Sequence, residues 1–359
     1  MRADGAWHEV SMVLHVHSRL SDGRGTVAEI MAAAQAAQVD VVWLTDHDTL
    51  AAQQDPGEGY WGRSLLLVGL EVTPAQSHYL ALGGTGVPDR HRPFAEFTAE
   101  AASMGHLGFV AHPDDPGNPV LKLPSYRWAD REGTAYTGLE VWNHLSQWMR
   151  GVHGLWSGIG ALRHPFRGSE RPTAETLALW DRLGQERRVV GVAGVDAHAV
   201  VVGHPPLGAV VFPYPVSFNT LRTHVLVAEP LTGADVLADR RLVLEALAAG
   251  RVLAMSGQAG GFPKGFRFFA AAGARVCPMG SEAAWEPGMA LRMASPCPAR
   301  FTVKRDGVAV ASHEGQEWAV AALGPGVWRV EADRPCGRRW VPWVVANPVY
   351  LRAPAHPGC

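Results

Sequence analysis

Between residues 11 and 212 the hydrophobic positions fall into short, nearly continuous runs separated by amphipathic stretches. The runs cover residues 11–17, 39–45, 65–72, 78–82, 107–111, 138–142, 189–195 and 207–212. Apolar residues at successive rather than alternate positions predict strands covered on both faces, as in a parallel sheet. The stretches between them carry helix signals. Thr26-Val27-Ala28-Glu29 has the spacing of a capping box and opens an Ala-rich helix through Gln38. Pro93 suits the first turn of a helix reaching Met104, with Gly105 as its stop. Thr173 precedes a third helix to Arg187, and a fourth is expected over 234–249, ending at Gly250. Alternation on this scale predicts βα units in a barrel or an open parallel sheet. Beyond Met255 the pattern changes to short alternating segments (266–270, 290–293, 300–304, 318–322, 326–331 and 341–345) between Gly/Pro-rich turns. Arg305-Asp306-Gly307 reads as a hairpin turn. These features predict a small C-terminal β-sandwich-like domain and divide the chain into residues 1–257 and 258–359.

Composition narrows the class. Of 359 residues, 47% are hydrophobic and 18% charged, enough to bury a sizeable core and inconsistent with global disorder. The length favours two domains. With 32 Lys+Arg against 34 Asp+Glu the net charge is -2, and the only lysines are Lys122, Lys264 and Lys304, so no basic stripe for nucleic acid is expected. Cys277, Cys297, Cys336 and Cys359 make no CxxC pair, which points to a reducing compartment rather than a zinc finger or a disulfide framework. Residues 1–10 include Asp4, His8 and Glu9 and no apolar signal region, and no apolar run is long enough to span a bilayer. A cytoplasmic protein without membrane segments is expected.

The chemistry lies in where some of the 16 histidines fall. His15 and His17 flank Val16 at the end of the first strand, and i, i+2 spacing in a strand turns both to one face. Asp22 follows in Ser21-Asp22-Gly23. The second run ends in Thr45-Asp46-His47-Asp48, the next carries Glu71, and His78, His112 and Asp196-x-His198 mark later strand ends. A single strand-end histidine is ordinarily a hydrogen-bonded structural residue, and Glu71 alone could be half of an ion pair. Six His, two Asp and one Glu gathered at the mouth where parallel strands end would be costly without bound cations. Imidazole plus carboxylate without thiolate suits zinc, manganese or iron. Nine ligands exceed the needs of one ion, so two or three divalent metals are expected, with Glu71 or an Asp as bridge.

In this order, His15-x-His17, Ser21-Asp22-Gly23, Thr45-Asp46-His47-Asp48, Ala111-His112-Pro113 and Asp196-x-His198 resemble the motifs of the PHP (polymerase and histidinol phosphatase) superfamily, over most of residues 11–200. Glu71 and His78 match its remaining ligand positions. The resemblance implies a distorted (β/α)7 TIM-like barrel with a trinuclear site. One ion would take His15, His17, Glu71 and Asp196, a second Glu71, His78 and His112, a third Asp22, His47 and His198. Arg222-Thr223-His224, Gly250-Arg251-Val252, Lys304-Arg305-Asp306-Gly307, Gly324–Glu331 and Ala346-Asn347-Pro348-Val349-Tyr350 are similar, more loosely, to the CehA/McbA-type branch, which includes an aryl carbamate esterase.

A metal-bridging hydroxide attacking phosphorus or a carbonyl carbon needs no Ser or Cys nucleophile. The sequence contains no Gly-x-Ser-x-Gly elbow, P-loop or strand-linked Gly-x-Gly-x-x-Gly. The leading expectation is a phosphoesterase for a small phosphate ester. The alternatives are a carbamate or carboxylic ester hydrolase with the same metals and a non-catalytic, metal-stabilised binding module. The candidate catalytic residues are Asp196, His198, Glu71 and Asp46. His198 or a metal-bound water is the expected proton donor to the leaving group, while Asp46 and Asp48 suit roles in orienting ligands or capping turns. Arg19, His144, His204 and His224 are candidate substrate contacts, each with a competing structural role.

Overall fold

The computed structural model describes residues 7–75, 77–128, 134–202 and 208–354. Its first twelve strands are β1 (His8–Val16), β2 (Val41–Leu44), β3 (Gly59–Trp61), β4 (Ser64–Val72), β5 (His78–Leu82), β6 (Leu107–Ala111), β7 (Gly138–Asn143), β8 (Val190–Gly194), β9 (Val200–Val202), β10 (Ala209–Val211), β11 (Leu221–Val227) and β12 (Val252–Ser256). The helices are α1 (Val27–Ala36), α2 (Phe94–Ser103), α3 (His144–Arg150), α4 (Leu155–Leu162), α5 (Ala174–Glu186), α6 (Tyr214–Ser217) and α7 (Val236–Ala248). Eight strands follow: β13 (Arg267–Ala272), β14 (Arg275–Pro278), β15 (Glu282–Ala284), β16 (Ala290–Arg305), β17 (Val308–Ala321), β18 (Gly326–Cys336), β19 (Arg339–Ala346) and β20 (Val349–Arg352). The fold is mixed α/β around one large sheet. Among the described residues, no helix is long and apolar enough to cross a membrane.

Alternate residues of the inner strands enter two different cores. Val13, Val42, Leu66 and Val68 pack with α1 and α2, whereas Met12, Leu14, Val41, Trp43, Leu65 and Leu67 pack on the opposite face with α7. Both faces of these strands are thus buried, which is why their sequences read as unbroken apolar runs. Each such side chain contributes roughly 1.5–3 kcal/mol by leaving water. Thr26 caps α1 through the reciprocal bonds with Glu29 that its sequence predicted.

The sheet is not purely parallel. β1 pairs in parallel with β2, β2 with β4, β6 with β7 and β7 with β8, but β5 runs antiparallel to both β4 and β6. Only residues 73–77 join β4 to β5, and a parallel crossover needs a dozen residues or more. The reversal places His78, at the start of β5, level with the ends of β4 and β6. Beyond β8 the chain returns to β1: Val195 N donates to Leu14 O, Ala197 N to His15 O and His17 N to Ala197 O, at 3.0 to 3.2 Å.

Residues 143–168 include α3 and α4, which have a small core of their own. Trp148, Val152 and Ala161 pack against Val211 and Phe212 beside β10. At the other end of the chain, β19 pairs with β12, and Leu226, Leu253 and Met255 share a core with Phe266, Phe301, Val330 and Trp343. The β16–β17 turn is the expected hairpin, with Asp306 (φ 52°) and Gly307 (φ 84°) both left-handed, as a type I′ turn requires.

Candidate metal centre

The nine candidate ligands meet at one end of the strands, through local distortions as much as through regular strand geometry. β1 changes register between Leu14 and Val16, and His15 sits there at φ 68°. This bulge, rather than simple i, i+2 alternation, aims His15 and His17 at one point. His112 (φ 27°) and Asp196 (φ 55°) are also left-handed, each just beyond the end of its strand. Non-glycine residues in this region are strained by roughly 1–3 kcal/mol and concentrate at functional sites.

Glu71 is the hub. Its Oε2 lies 3.0 Å from His15 Nε2, 3.2 Å from His17 Nε2 and 3.3 Å from His47 Nδ1. Its Oε1 lies 2.9 Å from His78 Nδ1 and 3.3 Å from His112 Nε2. Asp196 Oδ1 is 3.4 Å from both His15 Nε2 and His198 Nδ1 and 3.6 Å from His17 Nε2. Asp22 Oδ1 is 3.2 Å from His198 Nε2 and 3.5 Å from His47 Nε2. Ligands about 2.1 Å from a tetrahedral ion stand about 3.4 Å apart, the scale of these separations. Three groups of donor atoms are close enough to share an ion: His17, Asp22, His47 and His198; His15, His17 and Asp196; and His15, Glu71 and His112. His17 thus joins the Asp22 group as well as the His15 group.

The imidazoles fit a cation better than they fit one another. His15 Nε2, both ring nitrogens of His17, His47 Nδ1 and His112 Nδ1 are buried without a hydrogen-bond partner. Orphaned polar atoms in an interior are costly, and a bound cation would use their lone pairs. The outer nitrogens are engaged where this requires it. His15 Nδ1 donates to Glu140 Oε1 at 2.9 Å, and His198 Nδ1 to the Asp196 carbonyl at 3.0 Å. Both partners are acceptors only, so each ring keeps a proton on Nδ1 and turns Nε2 toward the cluster as the position a cation would take.

The charges are balanced internally. Burial, reinforced by positive charge on His198, pushes His17 down to about 3, so it stays neutral. Burial also opposes charge on His112 and His198, but Glu71 and Asp22 outweigh it and hold both at about 9. Against their own burial, the surrounding imidazoles hold Glu71 well below the carboxylate range and Asp196 at about 2. Cations entering the cluster would take the place of imidazolium protons.

Around the cluster stands a supporting layer. Asp46 accepts from Ser18 N and Ser18 Oγ at 2.7 Å and from Ser21 Oγ at 2.6 Å, fixing the loop that delivers Asp22. Asp48 binds Thr73 N and Thr73 Oγ1 and Arg90. Glu140, absent from the sequence-based candidates, holds three groups at once: His15 Nδ1, His112 N at 2.8 Å and Asn143 Nδ2 at 2.9 Å. Its signal was a lone carboxylate within an apolar run. Gly194 makes room for it, since a Cβ there would fall on Glu140 Oε1.

The candidate substrate contacts are placed differently. Arg19 is exposed in the loop after β1, its Nε donating to Arg24 O at 2.7 Å. His144 is buried at the start of α3, Nε2 bonded to Pro165 O at 2.7 Å, and burial lowers it to about 4. His224 lies toward the opposite end of β1, its Nδ1 2.7 Å from Glu9 Oε1. His204 lies outside the described residues. A cleft of about 710 Å³ also lies at that far end, where Lys264 is paired with Asp40 at 2.5 Å and Arg267 with Glu9 at 2.9 Å.

No protein-family model and no curated protein sequence matches the chain. Among solved structures it is similar to a two-domain protein of Bacteroides vulgatus containing a predicted PHP-like metal-dependent phosphoesterase, at 14% identity over 96% of each chain with a TM-score of 0.46. It is also similar to an amidohydrolase of Chromobacterium violaceum, at 17% identity over 58% of this chain and 96% of that one, TM-score 0.28. These are distant likenesses, and the chemistry rests on the side chains.

Proposed function

We propose that the chain is a PHP-type metal-dependent hydrolase of ester bonds whose substrate is a small phosphate ester. One observation carries the reading: six imidazoles and three carboxylates converge, and five of the buried ring nitrogens make no hydrogen bond although three of them lie 3.0 to 3.3 Å from Glu71 Oε2. In this reading His15, His17, Glu71 and Asp196 hold one ion, Glu71, His78 and His112 a second, and Asp22, His47 and His198 a third, each zinc, manganese or iron. The strands β1 to β8 then form a distorted (β/α)7 barrel, followed from residue 258 by a β-sandwich-like domain of the CehA/McbA kind.

Bound metals supply an acidified water and positive charge for the substrate oxygens. The chain's own residues prepare that chemistry. Glu140 keeps a proton on His15 Nδ1, so that Nε2 faces inward. The Asp196 carbonyl does the same for His198 Nδ1, which suits His198 to ligation. Asp46 acts through Ser18 and Ser21 to set the reach of Asp22. Asn143 Nδ2, 3.3 Å from Asp196 Oδ2, orients that carboxylate. The test is hydrolysis of p-nitrophenyl phosphate by manganese-loaded protein and by the His15→Ala variant; equal rates would refute the reading.

One feature favours carbamate or carboxylic esters instead. The β9–β10 hairpin that follows His198 exposes Val201, Val202 and Val210, an apolar surface suited to an aryl or alkyl group. Rates on an aryl carbamate and on a phosphate monoester separate the two. Full metal content without turnover of either would point to a binding module.

A further inference from the structure

Residues 113–128 leave the end of β6 immediately after His112 and are tied back to their own start. Ser125 Oγ donates to Asp115 O and Trp128 N to Pro113 O, both at 2.9 Å. Asn118 and Leu123 exchange backbone bonds, and Asn118 Nδ2 reaches Met149 O and Val152 O of the α3 region. Trp128 is buried, its ring 5.4 Å from Phe94 and 5.5 Å from Tyr136. Tyr126 lies between these two anchored flanks, so its position is set by the loop.

That position is over the cluster. The Tyr126 ring centroid is 4.0 Å from that of His78 and 6.3 Å from that of His112. The residue is only partly buried, and among the described residues its hydroxyl has no hydrogen-bond partner. A phenol fixed beside the ligands, with no hydrogen-bond partner among the described residues, can donate to a group that arrives from solvent.

We propose that Tyr126 is a substrate-binding residue whose phenol donates a hydrogen bond to a non-bridging oxygen of the ester held over the cluster. The proposal rests on the hydrolase reading above for the identity of that oxygen. The phenol keeps its proton throughout; its contribution is orientation and charge-assisted hydrogen bonding.

The test compares manganese-loaded wild type, Tyr126→Phe and Tyr126→Ala, with metal content measured in each. Inorganic phosphate is the binding probe, followed by calorimetry and as an inhibitor of p-nitrophenyl phosphate hydrolysis. Tyr126→Phe is expected to keep the metal content of wild type and to bind phosphate roughly tenfold more weakly, the scale of one hydrogen bond to a charged group. KM should rise by a similar factor. Tyr126→Ala should weaken binding at least as much. Unchanged phosphate affinity and KM in Tyr126→Phe would overturn the assignment while leaving the hydrolase reading intact. Loss of metal from Tyr126→Phe would also overturn it, because the role would then be to support His78. If wild type turns over no phosphate or carbamate ester, the hydrolase reading falls, and calorimetry still decides Tyr126: weaker phosphate binding in the variant supports it, and equal or absent binding in both proteins ends it.

Discussion

Replacing Glu140 by Gln preserves the shape of the side chain and removes its charge, and the hydrogen-bond inventory sets the consequence. In the wild type Oε1 accepts from His15 Nδ1 at 2.9 Å while Oε2 accepts from His112 N at 2.8 Å and Asn143 Nδ2 at 2.9 Å. Glutamine offers one acceptor and one donor group in those places. With its oxygen toward His112 and Asn143, its NH2 faces His15 Nδ1. That nitrogen must then become the acceptor, and the proton moves to Nε2, the atom 3.0 Å from Glu71 and 3.4 Å from Asp196. A protonated Nε2 cannot bind a metal. With the amide reversed, its NH2 opposes the His112 N–H and the Asn143 NH2, which strands buried donors at roughly 1–3 kcal/mol. Changes to residues that orient metal ligands cost about 10–100-fold in metal affinity, or about 1.4–2.7 kcal/mol, in the same range. Manganese titration of metal-stripped protein by calorimetry, with elemental analysis of the loaded form, is the assay. The expected result is a site weakened about 10–100-fold with unchanged far-ultraviolet circular dichroism. Wild-type affinity and stoichiometry in Glu140→Gln would refute the role given to this carboxylate.

Gly194→Ala should strip metal in the same assay, because its Cβ would occupy the place of Glu140 Oε1 and approach His15 Cβ to 2.9 Å; full metal content would contradict it. Chelation should lower the thermal midpoint and manganese should restore it, since an ion bound only by the folded chain stabilises by about 2.7 kcal/mol at a hundred times its Kd; an unchanged midpoint would count against the centre. Arg329 is fully buried and binds both oxygens of Asp181, at 2.6 and 2.8 Å, as well as Glu331. Arg329→Met leaves Asp181 without its cation, while Glu331 keeps Lys304 at 3.0 Å, and should cost roughly 3–5 kcal/mol in denaturant unfolding, with wild-type stability as the refuting result. The enclosed Glu9 carboxylate is held below its ordinary value of 4.5: burial opposes this, but His224, Gly265 N and Arg267 prevail. A depressed carboxylate stabilises fully above the unfolded value and loses that contribution as pH falls toward the folded one. Glu9→Gln should therefore flatten the fall in stability below about pH 4.5, read from urea unfolding at stepped pH; parallel curves would refute it.

The residue types and order of the cluster were legible in the sequence because strand ends are marked by the close of apolar runs, and His15, His17, His47, His112, Asp196 and His198 all sit at such closes. The geometry that joins them was not. A bulge at His15 leaves no trace in hydrophobic periodicity, since Leu14, Val16 and their neighbours are buried on both faces. The reversal of β5 was readable only from the shortness of residues 73–77, which forbids a parallel crossover. Helices α3 and α4 were hidden because their apolar residues face a private core of a few side chains, too small to impose a long amphipathic pattern. Glu140 had a physical signal, a charge inside a buried strand, but its partners are distant in sequence: His15 is 125 residues away.

Two sequence motifs that lie outside the cluster gain a purpose from the far edge of β8. On one side β8 pairs with β7; on the other, among the described residues, no strand is hydrogen-bonded to its first residues. An edge inside a protein cannot be left unsatisfied. Side chains take the place of a strand there, at every second residue. The Tyr350 hydroxyl bonds Val189 N and Val189 O at 3.1 and 2.9 Å. The Asn347 amide bonds Gly191 N and Gly191 O at 2.8 and 2.7 Å, and Thr223 Oγ1 bonds Ala193 N and Ala193 O at 2.9 and 2.7 Å. From Val195 onward the backbone of β1 takes over, at Leu14 O and then His15 O. The spacing of two is that of a ladder, continued by an Asn, a Tyr and a Thr until β1 is within reach. Asp196 and His198 come directly after this ladder, so their register against His15 and His17 is set along its whole length. Asn347 and Tyr350 therefore connect the last strands of the chain to the cluster without touching it. Cutting the chain before them would remove the amides and hydroxyls that hold β8 straight, and the carboxylate and imidazole at its end would lose their fixed distance from the rest.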